Sequence, residues 1–262
     1  LEGIVTFGYT GASPALMHLC AEKGVALSFL SQSGRFWGRL ASPTSGNVLL
    51  RKRQYTVSDS ESECLAIARN IVIGKLANSR SVLRRFLRDH GTGCEHAEME
   101  QAVANLTRQL GSVPKVISLN VLRGIEGEGA RTYYGVFNHL ILETNKAFEF
   151  KGRSRRPPKD KVNALLSFLY TLLTHDCIAA LESVGLDPQV GFLHRIRPGR
   201  PSLALDLMEE LRPYLADRLT LTLINNRQIT EKDFIAKESG SVLMSDQGRK
   251  KVIDAWQRRK QQ

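Results

Sequence analysis

The hydrophobic pattern of this chain changes period once, near Asn47, and that change limits the folds open to it. Before it, residues 4–7, 25–30 and 35–40 are short β-branched or aromatic runs, and Ser31-Gln32-Ser33-Gly34 between the last two is a hairpin signal. Ser13-Pro14 opens a short helical pattern that Gly24 closes. Residues 42–47 read as a linker, rich in Ser, Pro, Gly and Asn. Beyond them apolar residues recur about every 3.6 positions. Ser58 and Ser60 each precede a Glu by three residues, giving two overlapping capping-box frames ahead of a long helix with Cys64, Ile67, Ile71, Leu83 and Phe86 near one face. Further helices are expected over 95–110, 119–142, 160–184, from 202 onward, and over 246–260, with Pro213 ending or kinking the one that starts at 202. The expected fold is α+β: a small N-terminal β-domain at 1–41, a linker at 42–47 and a larger all-α domain at 48–262.

Composition excludes the fibrous, disordered and membrane-spanning classes. The 262 residues are 42% hydrophobic and 24% charged, and the most apolar helix is interrupted by Thr171, Thr174, His175 and Asp176. Cysteines 20, 64, 94 and 177 are too far apart for a metal-binding pair and too few to staple the chain, so a reducing, cytoplasmic setting is expected. No targeting segment is read, and a start at Leu1 inside an apolar stretch suggests a trimmed fragment.

Charge is the unusual property. Lys and Arg total 37 against 26 Asp and Glu, a formal +11. The first 47 residues hold three basic and two acidic side chains, so ten of those net charges fall in the helical part. They gather around Pro157-Pro158 (Lys151, Arg153, Arg155, Arg156, Lys159, Lys161), at Arg195, Arg197 and Arg200, and near the C-terminus (Arg249, Lys250, Lys251, Arg258, Arg259, Lys260). A polyanionic partner follows, nucleic acid before a membrane surface, because no helix of strong apolar moment adjoins the clusters. The plainer alternative is a set of solvated faces.

Two segments carry chemistry. Gly124-Ile125-Glu126-Gly127-Glu128-Gly129 places three glycines inside a helical pattern, where each costs about 1 kcal/mol relative to Ala. Either the segment is a loop with an acidic helix start, or another backbone or a ligand approaches closely. The second segment is Gly191-Phe192-Leu193-His194, a basic loop, then a helix that Ser202 would cap, with Asp206 and Glu209 three apart on one face. Taken singly, the carboxylates could pair with Arg212 on an exposed side, and His194 could be an ordinary loop histidine. Taken together, carboxylates beside Arg195, Arg197 and Arg200 would repel phosphate unless a divalent cation stood between them. One imidazole with carboxylates and no thiolate suits Mg2+ or Mn2+.

These residues also resemble a known family. Gly124 to Tyr133, Gly185 to His194 and Ser202 to Pro213 read in order as Gly-x-Glu-Gly-x-x-Ala-x-x-Tyr, Gly-Leu-Asp-Pro-x-x-Gly-Phe-Leu-His and Ser-Leu-x-Leu-Asp-Leu-x-Glu-x-x-Arg-Pro. This is similar to the CRISPR-associated spacer integrase, the catalytic subunit of the CRISPR adaptation complex. Arg153-Ser154-Arg155-Arg156-Pro157-Pro158 with Asn163 to Ser167 resembles its type I-C branch. The resemblance implies an N-terminal β-domain, incomplete here, a helical catalytic domain, and a chain trimmed at both ends. It implies metal ligation by Glu126, His194 and Glu209, with Asp206 supporting them or ligating in turn, and Glu128 as a departure from the pattern. It implies attack of a DNA 3′-hydroxyl on a phosphodiester of the CRISPR repeat, by an endonuclease and integrase that takes double-stranded fragments and branched DNA. Arg153, Arg155, Arg156, Arg195, Arg197 and Arg200 are then candidate phosphate contacts, and Tyr133 and Asn163 candidates for positioning DNA or ligands. A homodimer and a small bridging subunit are the implied partners, with no membrane. Charge alone supports a different reading, a non-catalytic nucleic-acid-binding scaffold.

Overall fold

The structure, a computed structural model, describes residues 3–32, 36–40, 47–90, 96–142 and 147–261. The N-terminal strands form as the alternation predicts. β1 (Gly3–Phe7) and β2 (Ala26–Leu30) pair in parallel with Gly3 opposite Ala26 and Phe7 opposite Leu30, and β3 (Phe36–Arg39) joins β2 antiparallel. A parallel pair needs a crossover, and α1 (Pro14–Glu22) supplies it, capped by Ser13 Oγ accepting from Leu16 N at 3.2 Å. Phe7 meets Phe168 at 6.1 Å between ring centroids and Arg39 pairs with Glu182, so the sheet is fastened to the helical part.

Residues 41–46, most of the expected linker, lie outside the described residues, but its last member is a helix cap. Asn47 Oδ1 accepts from Leu49 N and Leu50 N at 3.0 and 3.2 Å and starts α2 (Val48–Ser58), which the hydrophobic pattern did not predict. The reason is visible in the burial: Val48, Leu49 and Leu50 are exposed, and Gln54 and Val57 are the residues it buries. Of the two capping-box frames only the second works. Ser58 Oγ donates back to Tyr55 O at 2.7 Å at the end of α2, whereas Ser60 Oγ accepts from Glu63 N at 3.5 Å ahead of α3 (Glu61–His90).

At 30 residues α3 is the longest helix, about 45 Å at 1.5 Å per residue, and the others pack along it. α4 (His96–Ser112), α5 (Leu119–Gly135) and α7 (Ser202–Leu211) lie against it, and α6 (Lys161–Ser183) backs α7. α6 is long and apolar enough to cross a membrane, but here it is a core helix with Leu165, Leu166 and Leu169 fully buried. Its cap is Asp160, whose Oδ1 accepts from Asn163 N at 2.7 Å. Pro213 does not end the helix from 202. Lacking an N–H, it opens a π-helical turn, Arg212–Asp217, that continues into α8 (Arg218–Asn225).

One further expectation is corrected. The larger region is helical but not all-α, since β4 (Phe234–Ala236) and β5 (Val242–Met244) form a hairpin before α9 (Asp246–Lys260). Of the two readings of the glycine-rich segment the loop is excluded, because α5, the helix expected from 119, runs through it. A Cβ on Gly129 would stand 2.2 Å from Leu76 Cδ2 and 3.1 Å from Gln109 Oε1, so close packing against α3 and α4 accounts for that glycine. Gly124 and Gly127 face open space, and nothing in the structure explains them. Cys20, Cys64 and Cys177 are free and buried.

Candidate metal centre and its basic cleft

Three helices and one loop bring the centre together. Glu126 comes from α5, Asp206 and Glu209 from one face of α7, His194 from the loop between α6 and α7, and Lys75 from α3.

The loop is held from both sides. Gln54 of α2, 4% exposed, donates to the carbonyls of Asp187 and Val190 at 2.8 Å each and accepts from Asp187 N at 2.8 Å. Asp206, fully buried, takes the other side: Oδ2 accepts from Phe192 N at 2.6 Å and Leu193 N at 2.9 Å, and Oδ1 accepts from His194 N at 2.9 Å and His194 Nδ1 at 2.6 Å. Both oxygens are thus committed to the loop, and Asp206 orients the histidine instead of facing the centre. A Cβ on Gly191 would come within 2.7 Å of Ser202 C and 2.8 Å of Asp206 Oδ2, so only glycine lets the loop lie this close. Ser202 is not the cap of α7. It is the first helical residue and donates to Arg195 O at 3.1 Å, while Pro188 O accepts from Leu203 N at 2.9 Å.

A carboxylate has no proton to give, so His194 Nδ1 is the donor to Asp206, and the lone pair of Nε2 is left toward the centre. Nε2 stands 3.7 Å from Glu209 Oε1, too far for a hydrogen bond. Glu209 does pair with Arg212, at 2.6 Å, but on a buried side: their side chains are 3% and 15% exposed. Burial alone would favour the neutral acid at Glu209; Arg212 and Lys75 override it and hold its pKa down at about 2.

Lys75 is a residue of the candidate centre that sequence reasoning missed. Its ammonium is buried between Glu126 Oε1, which it contacts directly, and Glu209 Oε2 at 2.6 Å. Burial works against the charge, but Glu209 and Glu126 more than offset it and keep the group charged. Glu128 is exposed on the opposite side of α5, so Glu126 is the carboxylate that the centre receives.

Among the described residues no three His, Cys, Asp or Glu side chains stand close enough together to hold a metal ion. The donor chemistry nevertheless fits a hard divalent cation: the two carboxylates already meet on one positive charge, the Lys75 ammonium, and the imidazole nitrogen stands 3.7 Å from the other oxygen of Glu209.

Beside this centre lies a cavity of about 220 Å³ lined by Glu126, His194, Arg195, Arg197, Arg200 and Arg123. Arg123 was not anticipated either; its Nε donates to Leu193 O at 2.6 Å. Three expected nucleic-acid contacts take other parts. Asn163 is fully buried, its amide accepting from Ser154 N at 3.0 Å and from Arg153, and donating to Gly152 O at 2.8 Å. Arg153 lies over the Tyr170 ring at 5.0 Å and is spent on that loop. Tyr133 is 2% exposed and faces buried Asp217. Arg155 and Arg156 are exposed but do not line the cavity.

The CRISPR-associated endonuclease Cas1 2 of Rhodospirillum rubrum is 52% identical over 265 residues, covering 99% of this chain and 76% of that protein. Among solved structures, a casposase bound to integration product superposes with a TM-score of 0.84 at 26% identity, over 99% of this chain and 70% of its own. A Cas6-RT-Cas1–Cas2 complex gives 0.80 at 27% identity, over 97% of this chain and 28% of its own. The family model for CRISPR associated protein Cas1 matches residues 1–258, and with a relative this similar along the whole chain, the chain belongs to the Cas1 family.

Proposed function

We propose that this chain is a divalent-metal-dependent DNA endonuclease and integrase that inserts foreign DNA into CRISPR arrays. The observation that carries the reading is that Glu126 and Glu209 meet on one ammonium, with Nε2 of His194 3.7 Å from Glu209, beside an arginine-lined cavity. Those three side chains would hold Mg2+ or Mn2+, which when bound supplies charge neutralisation at the phosphate and at the leaving oxygen. Asp206 keeps the proton on Nδ1 and so keeps the lone pair of Nε2 available. Arg195, Arg197, Arg200 and Arg123 attract the DNA backbone without reading its sequence. In the transfer itself the 3′-hydroxyl oxygen of the incoming strand bonds to phosphorus and loses its proton; the old P–O3′ bond breaks and its oxygen is protonated.

Further parts of the reading are the division into 1–41, 42–47 and 48–262, a homodimer, a Cas2-type bridging subunit as in the complex above, the type I-C branch, and a cytoplasmic setting. The test is strand cleavage and joining on branched or half-site DNA with Mn2+. Wild type should act, and Glu126→Ala and His194→Ala should lose at least a hundredfold. Equal activity in all three overturns the site, and inactivity of all three with salt-dependent DNA binding points to a non-catalytic scaffold.

A further inference from the structure

A second basic surface lies along α3 from the candidate centre and belongs to none of the motifs. Where Pro213 opens the π-helical turn, Tyr214 is pushed outward and is half exposed although its neighbours Pro213 and Ala216 are buried. It borders a groove of about 710 Å³ lined also by Arg84, Arg85 and Arg88 of α3 and by Arg218 of α8. The guanidinium groups of Arg218 and Arg259 lie over its ring at 5.6 and 5.5 Å from the centroid.

The charges of Arg84, Arg85, Arg88 and Arg218 are poorly compensated. Among the described residues no carboxylate lines the groove. Asp89, at its edge, is shared by Arg85 at 3.5 Å and Arg88 at 3.1 Å, and Asp254 on α9 is taken by Arg258 at 2.6 Å. Arg84 makes no ion pair or hydrogen bond among the described residues. Partial burial and then the like charges of Arg259 and Arg85 press on Arg218. Such an assembly costs folding energy that a bound polyanion would return. Guanidinium groups ranged about an aromatic ring are the surface that phosphates and unpaired bases recognise, through charge and stacking. Arg84 is nine residues from Lys75 on the same helix, two and a half turns, so it points to the opposite side of α3 and the groove is a surface separate from the candidate centre.

We propose that the groove around Tyr214 binds single-stranded DNA, with phosphates on Arg84, Arg85, Arg88 and Arg218 and a base stacked on Tyr214. This rests on the proposed function only in taking DNA as the polyanion.

The test is equilibrium binding of the full chain to a labelled oligo-dT strand, to the same strand made abasic, and to a poly-glutamate peptide, followed across salt concentration. Arg84→Ala with Arg218→Ala should weaken oligo-dT binding about tenfold and lower the salt slope by about 1.4, some 0.7 per lost phosphate contact. Tyr214→Ala should weaken oligo-dT at least fivefold and leave the abasic strand unchanged, a difference that misfolding would not produce. Unchanged oligo-dT affinity in these groove variants, equal losses on both strands for Tyr214→Ala, or equal affinity for poly-glutamate overturns the proposal. Strand transfer is read on the variants of the candidate centre and oligo-dT binding on the groove variants, so failure of one is distinguished from failure of the other.

Discussion

Lys75 occupies the point at which the candidate centre gathers its carboxylates, and its burial makes sense only through them. Removing one partner of a buried ion pair costs about 3–5 kcal/mol, because the remaining charge has no solvent to fall back on. Lys75→Met should therefore lower the melting temperature in EDTA, and Mn2+ should raise it more in the variant than in wild type, since the cation then replaces the missing ammonium. Thermal melts with and without Mn2+ check this; an equal Mn2+ response in both proteins would remove Lys75 from the centre. Asp206 predicts differently, since it holds His194 by Nδ1 and three loop amides. Asp206→Asn should weaken Mn2+ binding about 10–100-fold by calorimetry, the usual effect of losing a partner behind a metal-ligating histidine. These residues also mark the limit of sequence reading. Asp206 and Glu209 were legible because a spacing of three puts them on one helical face, and His194 because it lies just ahead of that helix. Lys75, 51 residues before Glu126, has no local signature; only the packing of α3 between α5 and α7 brings it there. Gln54 was missed for the same reason, its three partners lying more than 130 residues away.

At the scale of an element, α5 separates two kinds of glycine that look alike in the sequence. Gly→Ala in a helix gains about 1 kcal/mol where there is room. Gly127 has room, so Gly127→Ala should raise stability by about 0.5–1 kcal/mol. At Gly129 the added Cβ meets Leu76, 1% exposed in the core, and overpacking of this sort costs about 1–3 kcal/mol. Gly129→Ala should thus destabilise or at best break even, and urea unfolding of the two variants should give opposite signs. The glycine pattern alone pointed equally to a loop. What decided for a helix was its contact with α3 and α4, a tertiary fact. α2 shows the converse: its exposed Val48, Leu49 and Leu50 give no amphipathic signal, and its role is to present Gln54 to the loop.

Across the molecule, a buried polar layer joins elements far apart in sequence. The Tyr170 hydroxyl of α6 donates to Asp217 Oδ1 at 2.6 Å, the Tyr134 and Tyr170 hydroxyls touch, and Arg153 and Arg212 lie over the Tyr170 ring at 5.0 Å each. Burial raises the Asp217 pKa to about 6; the Tyr170 hydrogen bond, Arg153 and Arg212 reduce that rise without cancelling it. Between the unfolded value of 3.8 and about 6, the folded protein keeps a proton that the unfolded chain has released. Stability therefore falls as pH rises through this window, by on the order of 2–3 kcal/mol for a shift of about two units. Glu209 acts at lower pH and with the opposite sign: its pKa is depressed to about 2, so its contribution is present above the ordinary carboxylate range and is lost as pH falls through that value. Asp217→Asn tests the first effect alone. The amide oxygen can still accept from Tyr170, and no charge has to be desolvated, so the variant should melt near wild type at about pH 4 and above it at pH 7. Melting curves across that range that run parallel for the two proteins would show that Asp217 ionises in the folded state as freely as in the unfolded chain.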